Sequence, residues 1–416
     1  MQLTKNITYI FSARAVNAAS IMALVLIISR RLGPDIFGGY SFMNAVIMTG
    51  VVIANFGLDS FMVREVSRNN LRGNQLLSSI LVFKFVSSLV VIAVVCILFR
   101  FFLDDQAIIR LLTFFSVAIC LNSLSQSFWF FGDAFQKFQF HATLWAFSNV
   151  IKIPFVWCFI LFKQDLAMVI YGLIISEFIS LMISGFWIRF RFGLSFKNAS
   201  FNSIPALFID AWPLAVVFIL SAIYFRIDSM MLEVMKGGKA VGIYSAGYKL
   251  IEFLSIIPGT ITIAALPGLS TDYSTNIEAF RLSLVRTIAM LGISGAVIGS
   301  LLYVFSRQAI LLLYGPLFSD SALSLRILSV VVFFIFVSGY LAYVGIATNN
   351  ERAVAIILII ATLLNITCNY YLIPRYSHVG AALSTLFSEI LMLISYSIFF
   401  LKGKIYWKKN AIGKVV

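Results

Sequence analysis

The sequence predicts an all-α membrane protein of about 12 transmembrane helices, set in two parallel six-helix lobes around a central cavity. Three observations lead there: an extreme composition, a regular succession of apolar runs, and an internal repeat. Hydrophobic residues make up 61% of the chain and charged ones only 12%, with a mean hydropathy of +0.99. Soluble domains do not reach such values. A spanning helix needs about 20 apolar residues, so 416 residues hold a dozen spans and short connections, with no room for a separate soluble catalytic domain.

Apolar windows bounded by breakers and charges place spans near 9–29, 36–58, 76–99, 108–131, 142–162 and 167–188 in the first half. The second half follows at 211–234, 242–266, 284–306, 321–347, 353–374 and 380–401. The first run contains Arg14, ends at Arg30-Arg31 and lacks a small-residue cleavage pattern, so it reads as a span and not as a removed signal peptide. Residues 1–205 form the expected N-terminal lobe, and residues 206–416 the C-terminal lobe with a basic cytoplasmic tail.

An even number of spans puts both termini on one side, and the distribution of positive residues chooses that side. Of 31 Lys and Arg, 16 fall on the faces that include the termini and 9 on the opposite faces. The tail residues Lys402, Lys404, Lys408, Lys409 and Lys414 contribute most, with Arg189, Arg191 and Lys197 behind them. Both termini are therefore expected in the cytoplasm. The net charge of +14 then reflects attraction to anionic inner-leaflet lipid, and nothing favours nucleic acid.

The repeat is visible when the halves are overlaid. Gly33, Gly38, Tyr40 and Ser41 match Gly237, Gly242, Tyr244 and Ser245 at an offset of 204. Ser176-Glu177 matches Ser388-Glu389 at an offset of 212, and Asn149 in the fifth span resembles Asn365 in the eleventh. Six spans per repeat make the two lobes parallel, the arrangement of transporters that work by alternating access.

Motif chemistry is sparse. Cys96, Cys120, Cys158 and Cys368 lie in apolar runs without paired spacing and read as small buried hydrophobes. His141 and His378 sit in separate connections, and no H-E-x-x-H, Walker or G-x-G-x-x-G pattern occurs. No cofactor, metal or catalytic residue is expected, and the chain does not read as an enzyme. Pro154, Pro258 and Gly259 interrupt the fifth and eighth spans, as tolerated kinks or as moving segments. Phe128-Trp129-Phe130-Phe131 reads as an interfacial aromatic belt.

Charges inside spans are the informative residues, because each costs roughly 2.5 to 3.5 kcal/mol at a helix centre. Arg14 and Lys84 lie roughly 8 and 12 Å in from their helix ends, within snorkelling reach, whereas Lys152 lies about 15 Å along the fifth span. With Arg226 and Lys249 they form a basic ladder suited to an anion. Glu177, Asp228, Glu252 and Glu389 are the acids within spans, and six basic residues outnumber these four. Lys249 and Glu252, three residues apart, can neutralise each other, whereas Arg226 and Asp228 cannot meet on one helix face. Glu177 and Glu389 are preferred for coupling to a proton or sodium ion, since no basic residue stands one turn away on their own helices. The alternative is that the matched Ser-Glu pairs only lock their helices into the bundle.

The chain resembles the polysaccharide or O-antigen flippases of the multidrug, oligosaccharidyl-lipid and polysaccharide exporter superfamily. The resemblance rests on Arg31-Leu-Gly-Pro-Asp-Ile-Phe-Gly-Gly-Tyr-Ser41, Asn55-Phe-Gly-Leu-Asp59, Arg64-Glu65 and Phe225-Arg226-Ile-Asp228. It continues through Val241-Gly-Ile-Tyr-Ser-Ala-Gly-Tyr-Lys249-Leu-Ile-Glu252, Asn365, Pro374 and Gly380-Ala-Ala382. Such a resemblance implies a bacterial inner-membrane protein that flips undecaprenyl diphosphate carrying an oligosaccharide repeat unit, draws on an ion gradient, and contacts polysaccharide polymerase machinery. A multidrug or toxin antiporter of the same fold is the main rival, and would favour an acidic cavity. Lipid II flippases resemble chains of fourteen helices. A membrane-embedded polymerase or ligase would carry a long external loop, and no loop here exceeds roughly 20 residues.

Overall fold

Backbone groups in hydrocarbon find no water, so a spanning chain of this composition folds as helices that satisfy their own hydrogen bonds. The computed structural model describes the backbone of residues 2–68, 73–192 and 204–410, with side chains chiefly over 14–67, 73–192, 215–262 and 265–400. Among the described residues every regular element is helical. In chain order they are α1 (Gln2–Asn55), α2 (Leu58–Arg68), α3 (Gly73–Phe102), α4 (Gln106–Phe115), α5 (Val117–Ala134), α6 (Phe138–Phe162) and α7 (Leu166–Phe192). There follow α8 (Ile204–Tyr224), α9 (Ile227–Lys236), α10 (Gly238–Leu254), α11 (Ile256–Thr275), α12 (Ile277–Leu313), α13 (Ser321–Ala347) and α14 (Glu351–Asn410).

Among the described residues nine helical runs are long and apolar enough to cross a membrane, and the bent pair made of α8 and α9 makes ten. The two longest runs each break once, at Gly33 and at Ser377. Dividing them there yields the twelve spans expected from the sequence. Both breaks have a backbone cause, since Gly33 has φ 76° and Ser377 has φ 51°, outside the right-handed helical region.

The repeat recurs in the backbone itself. Gly33 (φ 76°, ψ −180°) and its counterpart Gly237 (φ 76°, ψ 177°) hold the same left-handed conformation and end their helices the same way. Five residues on, a Cβ at Gly38 would stand 1.7 Å from the carbonyl oxygen of Gly238, and one at Gly242 would stand 2.0 Å from that of Pro34. The matched glycines therefore let α1 and α10 meet backbone to backbone.

The chain divides into two compact units, one of Met1–Ser245 with Leu313–Phe318, the other of Ala246–Leu312 with Ser319–Val416. This packing division is distinct from the sequence boundary at 205–206, which separates the copies of the repeat. Within the first unit, α3 shows how lipid and core are sorted. Phe85, Val86, Leu89, Val90, Val94 and Ile97 are exposed along one stripe, while Leu77, Ile80, Lys84, Ser88 and Val91 are buried along the other. An exposed stripe of that kind is stable only against acyl chains. Small polar residues line the helix contacts, with Ser78, Ser79, Ser123, Ser127, Ser176 and Ser180 all buried, as expected where close approach and interhelical hydrogen bonds replace the hydrophobic effect.

Two readings need correction. The Phe128–Phe131 stretch is not an interfacial belt: Phe128 and Phe131 are buried against α2, α3 and α7, and Trp129 is buried with its indole donating to Ser184 Oγ at 3.0 Å. The break between α10 and α11 falls at Ser255, before Pro258, while α6 runs through Pro154 without interruption.

Candidate functional site

The first unit contains a connected polar network that joins six of its helices. Lys152 on α6 is 8% exposed, and its Nζ lies 2.8 Å from Glu177 Oε1 on α7. Asn122 Nδ2 on α5 donates to both oxygens of the same carboxylate at 3.1 and 3.2 Å. Lys152 also reaches Asn149 Oδ1 at 3.4 Å, and Asn149 donates onward to Asn17 Oδ1 on α1 at 2.7 Å. In the other direction Gln126 donates to Asn122, Asn55 donates to Gln126, and Ser123 Oγ donates to Asn55 Oδ1 at 2.5 Å. The Ser123 carbonyl then accepts from Lys84 Nζ at 3.2 Å. Lys84, fully buried, ends the chain in an ion pair with Asp59 Oδ1 on α2 at 2.7 Å. Two cations and two carboxylates thus sit in the hydrocarbon zone, each with an opposite charge at hydrogen-bonding distance, the condition under which such charges are tolerated.

The second unit presents the repeat-related site with different side chains. Glu389 is 1% exposed and accepts from Ser338 Oγ at 2.9 Å. Asn369 donates to Asn365 at 2.9 Å, and Asn365 Nδ2 lies 3.4 Å from Ser388 Oγ. Ser338 stands 216 residues after Asn122, the same offset that relates Asn365 to Asn149, so the two acids receive their bonds from equivalent helix positions. The position equivalent to Lys152 is Cys368.

The nine residues singled out by sequence have the following placements. Lys84 does not snorkel; it is sealed in the bundle by Asp59. Lys152 meets Glu177, a partner supplied by the neighbouring helix, which the search along each acid's own helix could not reveal. Lys249 and Glu252 form the i,i+3 pair at 2.5 Å, with Glu252 exposed. Asp228 is buried and accepts from Tyr244 Oη at 2.7 Å. Arg226 is half-buried at the α8–α9 junction, with Nη1 3.4 Å from the Ala222 carbonyl, and Arg14 is half-buried on α1. Neither arginine forms an ion pair among the described residues.

The basic excess inside the spans also needs correction. Asp59 and Glu233 are both buried, at 6% and 4%, so the buried charges among the described residues are five acids, with Glu177, Asp228 and Glu389, against two bases, Lys84 and Lys152. Asp59 falls just beyond the second apolar window at 36–58, but α2 carries it inward. Asn17, Asn55, Asn122 and Gln126 were not singled out either. Positions 122, 123, 126 and 127 are all polar and recur at helical spacing in an otherwise apolar run, a stripe that was readable in the sequence. Lys197 and Lys414 lie outside the described residues, as do the side chains of Lys402, Lys404, Lys408 and Lys409.

Long helices broken at matched glycines, with ion pairs inside the bundle, define a polytopic helical membrane fold. A multidrug resistance MATE family transporter in its inward-facing conformation superposes with a TM-score of 0.72 over 96% of each chain at 14% identity. The lipid II flippase MurJ in its inward closed conformation superposes with a TM-score of 0.70 over 97% of this chain and 90% of its own, at 16% identity. At the level of family, the model described as "Polysaccharide biosynthesis protein" matches residues 3–271, and the chain belongs to that family, within the multidrug, oligosaccharidyl-lipid and polysaccharide exporter superfamily. The MatE model matches residues 213–371. The chain is 25% identical over 411 residues to the capsular polysaccharide biosynthesis protein CapF of Staphylococcus aureus, covering 96% of this chain and 99% of that one. It is 18% identical over 397 residues to a putative O-antigen transporter of Escherichia coli, covering 94% and 95%.

Proposed function

We propose that the protein is a flippase, not an enzyme, that carries undecaprenyl-diphosphate-linked oligosaccharide, the repeat unit of an O-antigen or similar surface polysaccharide, from the cytoplasmic to the periplasmic leaflet of a bacterial inner membrane by alternating access. The family match over residues 3–271 carries the reading, and the names of the relatives, a capsular polysaccharide biosynthesis protein and a putative O-antigen transporter, agree with it. Deleting the gene and analysing which lipid-linked glycan accumulates in the inner leaflet tests it. Accumulation of an undecaprenyl-diphosphate oligosaccharide is the expected result, and an unchanged lipid-linked pool contradicts it. Contact with a polysaccharide polymerase belongs to the same proposal, and crosslinking in the native membrane is its check.

In this proposal the diphosphate is held by the basic residues Arg14, Lys152, Arg226 and Lys249, with Lys152 foremost, while Lys84, sealed by Asp59, serves the fold. Lys152 already has a carboxylate partner 2.8 Å away. A substrate phosphate must therefore compete with Glu177 for the same ammonium, which links anion binding to the state of the acid. Glu177 is on that ground the first choice for ion coupling, ahead of Asp228, Glu252 and Glu389. Both termini are assigned to the cytoplasm from the lysine-rich tail. Alkaline phosphatase fused after Lys402 should be inactive and a fluorescent protein there should glow; the opposite pattern reverses the topology.

The MatE match over 213–371 and the excess of buried acids over buried bases favour one second reading, a drug or toxin cation antiporter. Purified protein in liposomes separates the two: stimulated efflux of a lipophilic cation supports the antiporter, and movement of a lipid diphosphate supports the flippase.

A further inference from the structure

Outside the Lys152–Glu177 network, the second unit holds a cavity of about 460 Å³ where the end of α12, the start of α13 and the break in α14 converge. Arg307, Ser319, Asp320, Arg326 and His378 are among the residues that line it. Arg307 sits six residues before the end of α12 and Arg326 five residues into α13, so each lies about 8 to 9 Å inside its helix end. Both arginines are exposed at this end of their helices, so their guanidinium groups stand open to an anionic ligand.

Arg326 is held by its neighbour: Nε lies 3.1 Å from Ser306 Oγ on α12, so the guanidinium is fixed while its two Nη groups carry no bond among the described residues. Arg307 likewise carries no ion pair there, and Asp320, on the same wall, pairs with neither arginine. His378 is fixed through Nδ1 by the buried Ser324, 2.7 Å away. The cavity thus combines two forked cations, an oriented imidazole and one acid, a net cationic lining in a volume suited to a small ligand. Guanidinium forks match the oxygens of a phosphate and bind it in a bidentate manner.

We propose that this cavity is a phosphate-binding site, built on Arg307 and Arg326, that takes a phosphate group of a lipid in the adjoining leaflet. The ligand comes from one of two sources, the headgroup of an anionic phospholipid or the diphosphate of the transported lipid; the second rests on the flippase reading. On the topology proposed above the site faces the periplasmic leaflet, where it would receive a diphosphate after passage.

The test uses the full chain in nanodiscs of neutral phosphatidylcholine, with inorganic pyrophosphate as the calorimetric probe. Arg307→Gln with Arg326→Gln should weaken binding by about tenfold or more, and Arg286→Gln, the same charge change elsewhere on α12, should leave it unchanged. Arg307→Lys with Arg326→Lys should retain part of the affinity, since charge remains and the fork is lost. A melting temperature close to that of the parent shows that the variants are folded. Repeating the titration in phosphatidylglycerol nanodiscs separates the sources: suppression of pyrophosphate binding assigns the site to a headgroup, and undiminished binding assigns it to the transported diphosphate. Equal pyrophosphate affinity in the parent and in the double glutamine variant, or no binding by the parent, overturns the proposal. Binding is read without transport, so a protein that binds through these arginines yet moves no lipid-linked glycan overturns the flippase reading and leaves the site standing.

Discussion

The two halves of the chain hold one buried acid each in the same frame, Glu177 and Glu389, and surround them with different chemistry. Around Glu177 stand an asparagine amide and a lysine ammonium, joined onward to a second ion pair 2.7 Å long between Lys84 and Asp59. Around Glu389 a serine hydroxyl replaces the asparagine, and Cys368 stands where the lysine would be. The repeat has thus kept the acid and its hydrogen-bond donor, while the lysine is a feature of the first copy. Geometry alone explains the donor: an acid inside a bundle needs hydrogen bonds wherever it sits. A buried lysine beside it adds a desolvation cost, and such a pair is weak support for stability by itself. Its presence in one copy only points to a function located there.

Breaking the ion pair at the end of the network should have the largest effect. Lys84→Ala leaves Asp59 buried without its ammonium, and loss of one partner of such a pair costs on the order of 3 to 5 kcal/mol. Thermal unfolding in detergent should show a melting temperature well below that of the parent. Lys84→Met combined with Asp59→Leu should recover most of the loss, and a double variant no better than the single one would mean that the pair is not what the fold requires.

Lys152→Ala should come next, with transport lost more completely than fold, because Asn122 still satisfies both oxygens of Glu177. Surface polysaccharide in a deletion strain measures the first and membrane abundance the second. Full complementation by Lys152→Ala together with Lys249→Ala would remove the case for a cationic substrate site.

The donors themselves should give smaller effects and preserve the contrast between halves. Asn122→Ala removes two bonds to a charged group and should cost about 1.5 to 3 kcal/mol. Ser338→Ala removes one bond from a hydroxyl and should cost about 1 kcal/mol. Equal shifts in chemical denaturation would make the two acids equivalent and cancel the comparison.

Much of this was legible before any coordinates. The twelve spans followed from apolar windows, since the bilayer fixes both length and composition of a crossing helix, and the glycine repeat at offset 204 reappears as two identical backbone breaks. What escaped was pairing between helices. Glu177 has no basic neighbour within one turn on α7, so nothing along its own helix pointed to Lys152 on α6. Asp59 fell in a connection because the apolar window ends at 58, next to the turn at Phe56 and Gly57. That turn lies between α1 and α2, yet the chain continues helical and inward. One-dimensional periodicity reports which face of a helix is polar; which neighbour that face meets is set by tertiary packing.

In the proposed function Glu177, through Lys152, couples an ion to movement of the lipid-linked sugar, ahead of Glu389. The direct measurement is gradient-driven flipping of undecaprenyl-diphosphate oligosaccharide in proteoliposomes, with Glu177→Gln and Glu389→Gln compared side by side. Glutamine keeps the hydrogen bonding and cannot titrate. Glu177→Gln should bind the lipid and retain its fold while losing stimulation by the gradient, and Glu389→Gln should keep that stimulation. Unchanged gradient dependence in Glu177→Gln, or loss confined to Glu389→Gln, would contradict the account.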